Sequence, residues 1–313
     1  MIRYLLKRIA WTLVTLAGMS VVAFLLVSLV PGDPITAELR FMGVPAKPET
    51  VEALRREYDL DAPIVKRYAR WISRVSRLDL GVSIASGRPV AGEFARALPS
   101  TLSLASLALG LIMAISLLAG AAGTLAASPA IDRMLQVLTV GVLSIPLYWL
   151  ALVVIAVGLL RMSIPGLLDA ESTANLALAA SLLALGPGLS TGRILRQRIA
   201  GERTEEYVRL GIALGVSGSR ILREDIARVA APALMTMWAT SFGYLIGGSV
   251  VIERIFDRPG LGNLALQAIA ARDYPVLQAY LLLAGTLFVA VNTTADLLSA
   301  WIDPRLRRGG IHV

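Results

Sequence analysis

Six stretches of this sequence are so long and so apolar that they restrict what the rest of the chain can be. They fall at roughly 10–30, 99–127, 134–160, 174–195, 233–256 and 278–302. A helix rises about 1.5 Å per residue, so about 20 apolar residues cross the hydrocarbon core of a bilayer. Each stretch is of spanning length, and six transmembrane helices are expected. With 56% hydrophobic and 17% charged residues, the chain as a whole reads as an all-α integral membrane protein. The opening "MIRYLLKRIAW" has the basic start of a signal peptide. Thr12–Val30 is nevertheless long enough to span, and Pro31 follows it without a small-residue cleavage site, so this segment is expected to stay as the first helix.

The formal net charge is +8, yet the cations do not form one basic face of the kind that binds nucleic acid. Arg3, Lys7 and Arg8 precede the first span. Arg193, Arg196, Arg198, Arg203, Arg209, Arg220, Arg223 and Arg228 cluster between the fourth and fifth, and Arg305, Arg307 and Arg308 follow the sixth. With six crossings these three places share one side, which the positive-inside rule makes the cytoplasm, and both termini are expected there. The chain then divides into residues 1–30 (cytoplasmic end and first span), 31–98 (an extracytoplasmic segment), 99–302 (a five-helix core with a cytoplasmic loop at 196–232) and a tail at 303–313. Long loops cross largely regardless of charge, so the basic segment 31–98 belongs outside. Within it Val51, Leu54 and Tyr58 form one strip at helical spacing, and Ile64, Tyr68, Trp71, Ile72 and Val75 another. Two short amphipathic helices on the outer membrane face are expected, broken at Asp61-Ala62-Pro63.

Several chemistries are excluded. The three lysines, Lys7, Lys47 and Lys66, follow Leu6, Ala46 and Val65, so no Walker A loop exists and the chain has no ATPase site of its own. No histidine or lysine lies within a span to serve as a protease base, and the only histidine is His312. There is no cysteine and no HExxH zinc pattern. Catalytic residues, resident metal and cofactor are therefore all expected to be absent. A channel or transporter remains.

The long loop between the fourth and fifth spans carries "EEYVRLGIALGVSGSRILREDIARVAAP" (Glu205–Pro232). Thr204 is placed to cap a helix, Glu205 and Glu206 suit its first turn, and Val208, Gly211 and Ile212 share a face. Gly215 is placed to end that helix in a left-handed conformation before "RILREDIARVA" resumes helical spacing. The pattern describes a cytoplasmic helical hairpin that either docks into a partner's groove or folds back on its own bundle.

That loop resembles the EAA loop of the membrane subunits of binding-protein-dependent ABC importers, with Tyr207, Val208, Arg209, Ala213 and Gly215 at matching positions and Gly211 where alanine is commoner. Along the chain "LVPGDP" (Leu29–Pro34), "LDLGVSIASGRPV" (Leu78–Val90), "GGSVVIERIFDRPGLG" (Gly247–Gly262), "ARDYPVLQA" (Ala271–Ala279) and "DLLSAWIDPRLR" (Asp296–Arg307) are similar to successive hallmarks of the peptide, opine and nickel group of these permeases. The resemblance implies the type I ABC importer (MetI-like) permease fold in the bacterial inner membrane. It also implies a second homologous permease subunit, two ABC ATPases that bind ATP and Mg, and an extracytoplasmic substrate-binding protein. Glu206, Tyr207, Val208, Arg209, Ala213, Leu214, Gly215 and Val216 would form the coupling helix that sits in an ATPase cleft.

Tyr148, Trp149, Trp238, Glu253 and Asn292 are the candidate pathway residues, because polar groups within spans are costly and often functional. Glu253 and Arg254 have an alternative reading as an interfacial pair, the aromatic residues as packing, and Asp296 as a contact to the cytoplasmic loops. Pro146 and Gly186-Pro187-Gly188 are expected to kink or loosen their helices, for packing or for gating. For cargo, "LRFMGVPAKPE" and the short connection between spans three and four resemble nickel-type and metallophore-type members more than typical dipeptide permeases, which implies nickel or a metal chelate, with di- or oligopeptides as the alternative. The lack of Cys and of any His in the bundle argues for a chelated ion over a bare one. An ATP-independent channel and a secondary transporter, the latter without visible inverted repeats, are the remaining classes.

Overall fold

A computed structural model describes residues 2–29, 36, 39, 43, 45, 47–57, 61–125, 129–161, 164–202, 205–216 and 227–302. Among these the chain is helical, and its only extended pairing is an isolated antiparallel bridge between Val82 and Pro89. Helix α1 (Ile2–Ser28) precedes two short helices, α2 (Pro48–Glu57) and α3 (Ile64–Val75), which lie on either side of Asp61–Pro63. Then come α4 (Val90–Leu125), α5 (Pro129–Ser144), α6 (Leu147–Leu160), α7 (Thr173–Glu202) and α8 (Glu206–Ala213). Helices α9 (Ala227–Ile255), α10 (Leu261–Ala271) and α11 (Tyr274–Ile302) complete the described chain.

Four helices are long and apolar enough to cross a membrane unbroken: Arg8–Ser28 in α1, Val90–Ala121 in α4, Thr173–Glu202 (α7) and Tyr274–Ala300 in α11. Two bent pairs, Arg133–Ser144 with Leu147–Leu160 and Ala230–Gly247 with Ser249–Ile255, bring the number to six if each is one span. The stretch expected as a single span at 134–160 is therefore two helices meeting at 96°. Pro146, with φ −57° and ψ 132°, starts α6 from an extended conformation that cannot continue α5. Pro187 has no such effect, since α7 runs through it.

The second span begins at Val90 rather than at 99, and Pro99 lies inside it. Packing explains the extension: Val90, Phe94 and Ala97 bury against Leu261, Ala268, Val276 and Ala279. That cluster gives the first two turns of α4 a protein surface to cover, and Glu93 suits their positive end.

The main core joins α4, α6, α7 and α9 through Leu104, Ala108, Ile112, Ala151, Leu183, Leu245 and Ile252. Helices α4 and α7 share the most extensive contact. Small residues let them approach: a β-carbon on Gly188 would come within 2.9 Å of Ile115, and one on Gly192 within 2.7 Å of Ala119. Hydrophobic transfer does not drive helices together in lipid, so such close contact is what holds a bundle.

Candidate coupling helix and buried carboxylate

Just past the end of α7 the Glu205 N–H donates to the Glu202 carbonyl at 3.1 Å. Helix α8 follows at once, with the Arg209 N–H donating to the Glu205 carbonyl at 3.1 Å. Its inward anchor is Val208, 2% exposed and packed among Leu195 and Ile199 of α7 and Ala230 and Leu234 of α9, with Val216 and Trp238 at the edge. Burying such a side chain contributes about 1.5–3 kcal/mol. On the other side Leu210 (62%) and Leu214 (73%) stand exposed, as do Glu206, Arg209 and Ala213.

Gly215 terminates the helix at φ 81°, a left-handed conformation that costs glycine nothing. The Val216 N–H reaches back to the Gly211 carbonyl at 3.0 Å, the long bond of a Schellman cap. The product is a short rigid element, rooted by one valine and presenting leucines and an arginine outward. Thr204 and residues 217–226, which carry the expected cap and most of the hairpin's second arm, lie outside the described residues.

A second constellation ties α4, α7, α9 and α10 together at the opposite end of α7. Glu253, fully buried near the end of α9, points its carboxyl at the N-terminus of α10. Gly262 and Asn263 donate their backbone N–H groups to Oε2 at 2.8 and 3.1 Å. Thr101 of α4 donates its hydroxyl to Oε1 at 2.8 Å and accepts the Leu261 N–H at 2.8 Å. Three of the four N–H groups that a helix start leaves unpaired are thus satisfied by two side chains.

The sequence makes room for this. A β-carbon on Gly260 would sit 2.3 Å from the Glu253 carboxyl, and one on Gly262 2.6 Å from the Val250 Cα. Arg258, 5% exposed, binds the Ala170 carbonyl at 2.8 Å and the Asn175 Oδ1 at 3.1 Å. The Asn175 amide in turn donates to the Leu167 and Phe256 carbonyls at 2.9 and 3.0 Å. Burial pushes the Arg258 guanidinium below its ordinary value, and Glu253 acts in the opposite direction.

Glu253 and Arg254 do not form the pair considered from sequence. The Glu253 carboxyl is taken up by Thr101 and α10, whereas Arg254 is exposed. Trp238 is partly buried between the main core and the Val208 cluster, its indole N–H on Ser116 Oγ at 3.1 Å. Tyr148 and Trp149 stand 52% and 58% exposed just past Pro146, and the Asn292 amide bonds its own helix at the Phe288 carbonyl, 2.9 Å away. The pathway candidates are therefore dispersed. Asp296 pairs with Arg8 of α1, and most of the cytoplasmic loop considered as its partner lies outside the described residues. A small crevice borders the carboxyl network, lined by Thr101, Phe242, Leu261, Gly262, Tyr280 and Leu287. Among the described residues no three His, Cys, Asp or Glu side chains gather as metal ligands.

Sequence reasoning missed Thr101, Asn175, Arg258 and Asp273. Asp273, buried at the start of α11, accepts from Ser83 Oγ at 2.5 Å and from the Ala85 N–H at 3.2 Å. Two of the hallmark tracts therefore meet: "LDLGVSIASGRPV" folds into a tight turn that docks on the aspartate of "ARDYPVLQA".

Residues 106–308 match the family described as the binding-protein-dependent transport system inner membrane component, and residues 1–105 match its N-terminal partner family. The chain belongs to this family. It is a multi-pass inner-membrane permease of a binding-protein-dependent transport system, not an ATPase. A Brucella abortus relative named as a peptide transport system permease protein is 35% identical over 313 residues, covering 97% of this chain and 98% of the relative. A Brucella suis relative with the same kind of name is 35% identical over 312 residues, with 96% and 98% covered. The glutathione transport system permease protein of Escherichia coli K12 is 32% identical over 307 residues, with 98% and 99% covered. These names favour the peptide alternative over the expected nickel or metal chelate. The tract "LRFMGVPAKPE", which had suggested nickel, lies partly outside the described residues.

Proposed function

We propose that this chain is one of two homologous permease subunits of an ABC importer for di- or oligopeptides, including peptides of the glutathione type. The full-length similarity to permeases named for peptide and glutathione transport carries this reading. An extracytoplasmic binding protein would deliver the cargo, and two ABC ATPases with ATP and Mg would drive the cycle. Both termini would be cytoplasmic, in keeping with the arginine distribution.

Helix α8, from Glu206 to the Gly215–Val216 cap, would seat in an ATPase cleft. Closure of the ATPase dimer would displace it, and Val208 would pass the displacement to α7 and α9. Because α7 is unbroken from Thr173 to Glu202, it would act as a stiff lever whose far end carries Asn175 and its bond to Arg258. Glu253 and Thr101 would then keep α10 moving with α4 and α9 as the bundle opens outward. The crevice beside Thr101 and Tyr280 is the part of the pathway this chain would contribute, with Trp238 and Asn292 as further candidates elsewhere on α9 and α11.

The test is purification of the chain with the products of its neighbouring genes, followed by ATPase measurement with the binding protein loaded with a dipeptide, glutathione or a nickel chelate. Stimulation by a peptide cargo is expected. Stimulation by the nickel chelate alone would overturn the cargo, and absence of any associated ATPase would overturn the importer.

A further inference from the structure

Helix α3 carries chemistry that the transport reading leaves unused. Its sequence, "IVKRYARWISRV", contains no acidic residue, and none of its residues is buried. Around the helix Tyr68, Trp71, Ile72 and Val75 fall on one side, and Lys66, Arg70 and Arg74 on the other, with Arg77 just beyond the end.

Its depth is fixed by its contact with α1. Tyr68 and Trp71 pack on Phe24, with ring centroids 5.5 and 5.7 Å apart, and the Tyr68 hydroxyl lies 2.8 Å from Ser20 Oγ. The apolar span of α1 runs to Ser28, so Phe24 is about one turn and Ser20 about two turns, roughly 12 Å, inside its end. A helix held at that level cannot stand above the membrane. It lies at the boundary of headgroups and acyl chains, where Tyr and Trp belong and where amphipathic helices sink roughly 5–10 Å. This holds for either orientation of the chain. Ile64 and Val65, 41% and 74% exposed, are left open toward that boundary. Lys66, Arg74 and Arg77 are exposed on the same segment.

We propose that α3 is an interfacial helix of the outer leaflet that recruits anionic phospholipid headgroups through Lys66, Arg74 and Arg77. The aromatic contact with Phe24 sets its depth, and the cations select the lipid. An acidic protein partner would match the charge, but it would not account for apolar residues held below the headgroup level.

The full chain in nanodiscs supplies the test. Quenching that depends on Trp71, taken as wild type minus Trp71→Phe, is compared for phosphatidylglycerol and phosphatidylcholine brominated near the headgroup at equal mole fraction. One cation near an anionic surface enriches anionic lipid by up to about fivefold, so at least about a twofold greater effect of the phosphatidylglycerol label is expected. In Lys66→Gln/Arg74→Gln/Arg77→Gln the ratio should fall to about one, and in wild type it should fall with added salt, which needs no variant to fold. Equal quenching by the two lipids, or a ratio insensitive to both the triple change and salt, would refute headgroup selection. No quenching of Trp71 by either lipid would place α3 outside the bilayer and leave its basic face to an acidic protein.

Discussion

Thr101→Val exchanges a hydroxyl for a methyl of nearly the same volume at a position 4% exposed, so core packing is preserved while two hydrogen bonds vanish. Lost are the 2.8 Å bond to Glu253 Oε1 and the 2.8 Å bond from the Leu261 N–H. A neutral hydrogen bond contributes about 0.5–1.5 kcal/mol net, and a buried group left unsatisfied costs about 1–3 kcal/mol. The two losses share one oxygen and do not add fully. About 3 kcal/mol of destabilisation is expected, against less than about 1 kcal/mol for Thr101→Ser, which keeps the hydroxyl. Reversible unfolding in mixed micelles of dodecyl maltoside and SDS would measure both. A Thr101→Val chain within about 0.5 kcal/mol of wild type would refute the network's structural role. Equal damage by Thr101→Ser would show that the threonine methyl, not the hydroxyl, matters.

Gly215→Val meets no neighbour within 4 Å but forces a β-branched residue to φ 81°, a local cost of about 1–2 kcal/mol or more. Assembly should survive while cargo-stimulated ATPase and transport fall by about tenfold, with Gly215→Asn intermediate because asparagine tolerates that conformation; normal transport by Gly215→Val would remove α8 from the coupling role. Gly260→Ala drives a methyl to within 2.3 Å of the enclosed Glu253 carboxyl and should destabilise by about 1–3 kcal/mol. Thermal melting of the solubilised chain reads this, and an unchanged melt would mean that the α9–α10 turn gives way without cost.

Hydrophobic length and proline content made the spans legible, but which prolines break a helix was not. Pro99, Pro187, Pro232 and Pro146 differ in the residue before them. Pro187 follows Gly186, Pro99 follows Leu98 and Pro232 follows Ala231, and all three lie inside continuous helices. Pro146 follows Ile145, whose branched β-carbon crowds the proline ring most, and there the helix ends.

Helix α8 was legible because its punctuation is local: an acidic first turn, then a glycine at the left-handed end. Glu253 was visible as a costly charge in a span, yet its partners were not. Thr101 lies 152 positions away, and no local pattern announces a hydroxyl that bridges a carboxyl and a helix start. Asn175 and Arg258 were hidden for the same reason, since their bonds are made between elements distant in sequence.

The elbow at Pro146 bears on what this chain needs around it. Neither arm, at 16 and 14 residues, reaches across the hydrocarbon alone, so non-helical backbone sits at membrane depth. Lipid offers no hydrogen bonds to backbone groups released from a helix, and such breaks persist only where protein or water faces them. In the single chain, however, Ile145, Tyr148 and Trp149 around the break are open to the outside. An isolated copy dissolved in bilayer would thus expose an uncovered seam, and the natural way to close it is a neighbouring subunit or a water-lined passage against this corner. On its own the chain is half a wall, with its bare edge at Pro146.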